Sequence, residues 1–284
     1  MTSVLSAQPH DQHGYPQSHP SDMGAVLTLL TPTGGMGAST LAANLAVRLA
    51  AKWGNLTSPV ALFDADLAFG CATSMVGARP PHTLADLPRQ VTGEVLSAAV
   101  QAMDCGIHVL ASPSDLIVAE SVVPATCARV IRVLAERHAA TVIDTAPGLF
   151  EPTLTAVDHA DLVLIPVVGT PHACRATAMV MSTLRRVGVA EDRIRLVANR
   201  VGAPHAMSPS QIADALATRV SWLVPDSPDV ILAARKGRLL AWDWPDHPVS
   251  LALDQLAADV ADMVGGPNSR SDAGSSRDGL RRAA

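Results

Sequence analysis

The sequence predicts an α/β fold: a doubly wound, mostly parallel sheet flanked by helices. Three observations carry this. Short apolar runs recur along the chain, among them VLTLL at 26–30, VALF at 60–63, LVLIPVV at 162–168 and RLVANRV at 195–201. Between them lie stretches whose apolar residues fall on one helical face, such as Leu41, Leu45 and Leu49. Two of the runs end in acidic residues, Asp64 with Asp66 and then Asp144, as buried parallel strands do when they deliver side chains to one rim of a sheet. Strands alternating with helices make a sheet covered on both faces. With 284 residues, 48% of them hydrophobic, the chain has enough apolar surface for one sizeable core.

That core is expected within residues 24–264. Residues 1–23 are rich in Pro, Ser, Gln and His without periodicity, and residues 265–284 (GGPNSRSDAGSSRDGLRRAA) are equally polar, so both read as disordered tails. His10, His13 and His19 lack the fixed geometry that makes a selective metal site. Leu280 beside Arg281 and Arg282 is too little apolar surface for a membrane anchor.

The stretch at 26–49, VLTLLTPTGGMGASTLAANLAVRL, reads as strand, glycine-rich loop and helix. Glycines at 34, 35 and 37 let the backbone approach a ligand, with its N–H groups converging at a helix N-terminus that favours an anion. The Ser39 hydroxyl would complete such a loop by reaching a magnesium ion. The lysine that ordinarily follows the last glycine is replaced by Ala38.

Next comes VALFDADLAFG (60–70), a strand delivering Asp64 and Asp66 to its C-terminal end. Either carboxylate can hold a metal-bound water or activate an attacking one, or can simply cap the following turn. Residues 77–89 read as a proline-rich turn and a short amphipathic segment. Residues 107–111 form a strand and 112–115 a turn, followed by a helix with Pro124 near its first turn and Val130, Ile131 and Leu134 inside. TVIDTAPG (141–148) is a strand whose tip, Asp144, suits magnesium held through water, while Gly148 offers a backbone N–H to a terminal phosphate. After the strand at 162–168 the pattern gives a helix over 172–187 and a strand over 195–201. A capping-box helix start follows at Ser208, Pro209 and Gln211, then a strand and turn over 222–228. Two further helices end the domain, the last over 249–264 with Leu253, Leu256 and Val260 inside.

Twenty-one Lys and Arg against 26 Asp and Glu leave a formal charge of -5, which lacks the basic footprint of a nucleic-acid-binding chain. Cys71, Cys105, Cys127 and Cys174 are widely spaced, so the reading is buried thiols in a reducing cytoplasm rather than disulfides or zinc. The chain has no run of about eighteen apolar residues and no signal-peptide pattern, and a soluble cytoplasmic protein is expected.

Over about residues 24–264 the chain resembles the MinD/ParA family of deviant P-loop ATPases, and most of all its CpaE/TadZ branch. Three stretches carry the resemblance: GGMGASTLAANLA, FDADLAFGCATSMVGARPPHTLADL and VIDTAPGLFEPTLTAVDHADLVLIPV. It implies ATP and Mg2+ as ligands. Gly34, Gly35, Met36, Gly37, Ala38, Ser39 and Thr40 would wrap the phosphates, with Ser39 and Asp144 at the metal. Asp66 would act as the catalytic residue near the attacking water, and Asn199 and Pro225 would flank the adenine. The family's signature lysine, which precedes the double glycine and crosses a dimer interface, is Thr33 here, so both loop lysines are missing. Arg175, Arg200 and Arg235 are the candidates to replace them.

The resemblance further implies a homodimer that acts with a secretion or pilus ATPase or with division proteins, placed at a pole or septum through those partners. Three functions follow. The first is a spatial regulator with weak or no hydrolysis, the second a working ATPase in which another basic residue replaces the lysines, and the third a ParA-like partitioning protein, which the acidic balance disfavours.

Overall fold

Strand β1 (Ala25–Leu29) is buried along its whole length, because its sequence AVLTL has no side chain that needs water. Its polar residue, Thr28, donates from Oγ1 to the Ala156 carbonyl at 3.0 Å. In the computed structural model, which describes residues 23–53 and 58–265, this strand is the centre of the molecule. The readings of the two tails, including His10, His13, His19 and Leu280, lie outside the described residues.

After β1 come helix α1 (Ala38–Trp53), β2 (Val60–Ala65), the short α2 (Ala72–Met75), α3 (Gly93–Ala99), β3 (Gln101–Ala102), β4 (Ile107–Leu110), α4 (Leu116–Ala119), α5 (Pro124–Arg137) and β5 (Ala140–Thr145). The second half contains α6 (Glu151–His159), β6 (Leu162–Val168), α7 (Pro171–Arg186), β7 (Ile194–Val201), α8 (Pro209–Leu216), β8 (Val220–Pro225), α9 (Pro228–Arg235), α10 (Leu240–Asp243) and α11 (Pro248–Val264). The sheet order is β3-β4-β2-β5-β1-β6-β7-β8, parallel except for the antiparallel edge strand β3. The chain runs outward from β1 in both directions, so the loop after β1 sits at a switch point of the sheet.

Alternation along the central strands builds two cores. Leu27, Leu29 and Leu62 face α1 and α11, whereas Val26, Ala61 and Phe63 face α5, α6 and α7. Leu41, Leu45 and Leu49 of α1 are buried as their spacing predicts. Polar bonds fasten α1 to its neighbours: Asn44 Oδ1 accepts from the Ala241 N–H at 2.9 Å, and Arg48 pairs with Asp254 while donating to the Ala241 carbonyl at 2.9 Å. The capping box at Ser208 and Gln211 is present.

Several expectations change. Residues 77–89 contain no amphipathic α-helix; they hold a 3-10 turn, Leu84–Asp86, boxed by Thr83 and Asp86. Among the described residues three helices, not two, follow β8, because Gly237 at φ 61 and the Leu239 N-cap interrupt the apolar run between α9 and α10. Cys127 and Cys174 are buried, but Cys71 and Cys105 are only half-buried; all four are free thiols. No helix among the described residues is long and apolar enough to cross a membrane.

Candidate functional site

The loop between β1 and α1 forms one wall of a cleft of about 500 Å3 at the C-terminal ends of the parallel strands, within the usual size of a ligand pocket. Gly35 (φ 85) and Gly37 (φ 88) take a left-handed backbone that other residues adopt only under strain. A Cβ placed on Gly34 or Gly35 would meet nothing within 4 Å, so the loop faces open space. The α1 ladder begins with Leu41 N–H to the Gly37 carbonyl at 2.9 Å, which leaves the first-turn N–H groups, from Ala38 to Thr40, directed at the cleft.

Asn199, near the end of β7, reaches across to this loop. Its Nδ2 donates to the Met36 carbonyl at 2.9 Å, and its Oδ1 accepts from the Arg200 N–H at 3.0 Å. A Cβ on Gly37 would lie 2.4 Å from that Nδ2, so this glycine is required by contact as well as by its dihedral angle.

Below the loop the strand tips gather carboxylates. Asp64 accepts at Oδ2 from the backbone N–H and hydroxyl of Thr73, both at 3.1 Å, while Oδ1 has no partner. Burial is the main cause that lifts its carboxyl to about 6, with the Asp66 charge adding to it. Asp144 is fully buried and neither of its oxygens has a hydrogen-bond partner. Its carboxyl is held well above the usual range, by burial first and by the Asp64 charge second, and the nearby Ser39 hydroxyl opposes this only in part. Ser39 also borders Cys71, whose thiol burial pushes up. Asp66 lines the cleft and caps the next turn too, its Oδ1 accepting from the Ala68 and Phe69 N–H groups at 3.0 Å each. The capping reading of Asp66 is therefore met, and its place in the lining leaves its second oxygen beside the cleft.

Buried carboxylate oxygens without donors are expensive, and they suit a hard cation or its water shell. The donor set of Ser39, Asp144 and Asp64 fits hydrated magnesium, and the loop amides fit phosphate oxygens. No cluster of three or more His, Cys, Asp or Glu side chains is arranged to ligate a metal directly among the described residues. A magnesium ion here would be held by few protein atoms and by its ligand and waters.

Of the anticipated residues, Gly34, Gly35, Met36, Gly37, Ala38, Ser39, Thr40, Asp66, Asn199 and Pro225 all line the cleft. Asp144 lies beneath its floor. Gly148 is not part of the lining, and its N–H donates to the Thr31 carbonyl at 2.8 Å, so it can reach a phosphate only by breaking that bond. Of the three arginines considered as lysine substitutes, Arg200 alone lines the cleft; Arg175 on α7 and Arg235 on α9 are exposed outside it. Sequence reasoning missed the apolar arm formed by Met75, Val230, Ile231, Val249 and Leu253, which come from helices remote in the chain and carry no motif.

No family model matches the sequence. The chain is 28% identical over 249 residues to the chromosome-partitioning ATPase Soj of Thermus thermophilus, covering 84% of this chain and 96% of that one. It is 27% identical over 239 residues to an uncharacterised ATP-binding protein of Methanocaldococcus jannaschii (83% and 87% covered), and 24% identical over 223 residues to the septum site-determining protein MinD of Thermotoga maritima (76% and 80%). Among solved structures, a ParA family ATPase of Chlorobium tepidum superposes with a TM-score of 0.76 at 18% identity (84% and 98% covered). MinD of Pyrococcus horikoshii complexed with Mg-ADP superposes at 0.74 and 20% identity (86% and 98%), and MinD in a MinC:MinD complex of Aquifex aeolicus at 0.69 and 19% (84% and 96%). The fold is that of the MinD/ParA P-loop NTPases, and the sequence is similar to proteins that bear the names of that group.

Proposed function

We propose that this chain is a nucleotide-responsive spatial regulator of the MinD/ParA type, in the CpaE/TadZ branch. It binds ATP with Mg2+ as a homodimer, hydrolyses it weakly or not at all, and positions a pilus or secretion apparatus or regulates the septum site. One observation carries the reading: the cleft keeps the glycine loop, Ser39 and the acidic strand tips, yet positions 33 and 38 hold Thr and Ala. The binding half of the machinery is retained and the charge clamp that speeds phosphoryl transfer is absent.

In this reading the loop amides from Gly34 to Thr40 hold the phosphates, and Ser39 with Asp144 holds the magnesium ion. The ion supplies the positive charge that the missing lysines do not. Asp66 orients a water near the terminal phosphate, and Asn199 and Pro225 flank the base. Division partners and septal placement are in keeping with the name of the septum site-determining relative and with the MinC:MinD neighbour, whereas the homodimer and a polar address rest on the sequence resemblance alone. The alternative, a working ATPase, is favoured by the presence of Arg200 in the lining.

Calorimetry with ATP and Mg2+, with the Asp144→Ala variant alongside, tests the reading. Binding by the native chain that is lost in the variant supports it. No binding up to millimolar nucleotide overturns it and leaves the fold as a scaffold for protein contacts.

A further inference from the structure

We propose that a cavity at the N-terminal ends of β7 and β8 is a second ligand site, in which Arg195 and Arg219 hold the phosphate of a small phosphate monoester whose apolar body packs on Trp222.

The cavity is about 360 Å3, within the usual size of a ligand pocket, and shares no lining residue with the nucleotide cleft. It lies at the start of β7 and β8, whereas the cleft takes in Asn199 and Pro225 at their far ends. Leu196 and Val220 are register partners on these adjacent parallel strands. Arg195 and Arg219, each one residue earlier, therefore leave the sheet side by side, from strands about 4.8 Å apart. The register shifts just beyond them: Leu196 pairs with Val220 and Val197 with Trp222, so Ser221 is an extra residue on β8. Bulges of this kind re-aim side chains beside binding sites.

The charges of the lining do not cancel in pairs. Arg185 donates to Glu191 at 2.7 Å, and Asp259 accepts from the Trp222 indole N–H at 2.8 Å and from Gln255 at 2.7 Å. Both carboxylates are thus engaged away from the other two arginines. Arg195 is half-buried and donates to the carbonyl of its own neighbour Ile194, at 3.1 Å, while Arg219 has no hydrogen bond or ion pair among the described residues. Two guanidinium groups set side by side with no anion repel each other. A dianion would meet both charges, and each guanidinium can offer two parallel N–H bonds to phosphate oxygens. The Ser221 hydroxyl in the same lining has no hydrogen bond among the described residues and can add a further donor, whereas that of Thr218 is directed to the Leu216 carbonyl at 3.1 Å.

The other walls are apolar. Met181, Ile194 and the buried Trp222 contribute them, and the bond to Asp259 fixes the indole. Inorganic phosphate alone would leave this surface uncovered, and an uncharged aromatic would leave the arginines unmet. A ligand with a doubly charged head and an aromatic or aliphatic body satisfies both.

The test titrates phenyl phosphate, inorganic phosphate and phenol into the native chain at constant ionic strength. The Trp222 indole N–H signal in nitrogen–proton NMR spectra, assigned with Trp222→Phe, is the local reporter. Arg195→Gln, Arg219→Gln and Arg219→Lys follow, with Arg235→Ala as a control outside the cavity. Phenyl phosphate should move the Trp222 signal and bind about tenfold or more tighter than either fragment. Each glutamine variant should lose about tenfold in affinity, the range of one charge-assisted contact. Arg219→Lys should recover part of that loss, and Arg235→Ala should match native. Arg219 is exposed, so its variants keep the fold and decide the matter even where Arg195→Gln does not fold. A Trp222 signal unmoved by millimolar phenyl phosphate overturns the proposal. So do equal affinities for phenyl phosphate and either fragment, or a titration that is unchanged in Arg219→Gln.

Discussion

Asp64 and Asp144 are register partners on the adjacent parallel strands β2 and β5, both fully buried, and no ion pair is present at either among the described residues. Two carboxyl groups side by side in a place without water cannot both ionise cheaply. The ligand-free site therefore stores an electrostatic cost that a bound cation would remove.

This cost predicts how stability depends on pH. The Asp64 carboxyl is raised from 3.8 to about 6 and that of Asp144 moves in the same direction, so the folded protein binds more protons than the unfolded chain between about pH 4 and 6. Stability from these groups is present at low pH and is lost as pH rises through that window, by up to about 3 kcal/mol for Asp64 alone. Asp144→Asn should raise the melting temperature of the ligand-free protein at pH 7 to 8 while abolishing magnesium-dependent ATP binding. Melts in chelator across this range check it; a variant that melts below native at pH 8 would refute the stored cost.

His138 titrates in the opposite sense. It is 6% exposed, and burial pushes its imidazole down to about 4 while it bonds the Leu134 carbonyl and His108. The folded state binds fewer protons than the unfolded chain below about pH 6.5, so stability is complete above that value and is lost as pH falls towards 4. The two limbs offset each other, and native protein should show a shallow profile. In His138→Gln, urea midpoints should rise from pH 7 to pH 4.5 relative to native, exposing the carboxylate limb. A variant profile parallel to the native one would exclude His138 as the source.

Much of this was legible because the relevant signals are local. The run VLTLLTPTGGMGAST fixes strand, loop and helix by composition and dihedral demand, and Asp64, Asp66 and Asp144 fall at strand ends that any parallel sheet would bring together. The Asn199 tether to Met36 was invisible, since it joins residues 163 apart and depends on how β7 lies beside the loop. The engagement of the Gly148 N–H was invisible for a similar reason, since its acceptor, the Thr31 carbonyl, lies far away in the chain. Helix α3 and the two-residue strand β3 carry too little periodicity to be seen, as their short lengths leave less than two turns or two pleats of pattern.

The Asn199 tether predicts a rigid loop. Asn199→Ala removes the donor to Met36 and should cost about 1 kcal/mol, with faster hydrogen exchange at the amides of residues 33–38. Gly37→Ala should cost more, about 2 kcal/mol, because it combines φ 88 with a Cβ 2.4 Å from Asn199 Nδ2. Both variants should weaken ATP binding. Native exchange rates in Asn199→Ala would show that the loop holds its shape unaided.

Restoring the missing charge is the most direct trial of weak hydrolysis. Ala38 opens α1 and lines the cleft, so a lysine there can extend towards bound phosphate. Ala38→Lys should tighten ATP binding by about tenfold or more, the value of one charge-assisted contact, and should raise ATP turnover, because such a charge also stabilises the transition state. A lysine without effect on turnover would locate the deficit in Asp66 and its water rather than in the loop.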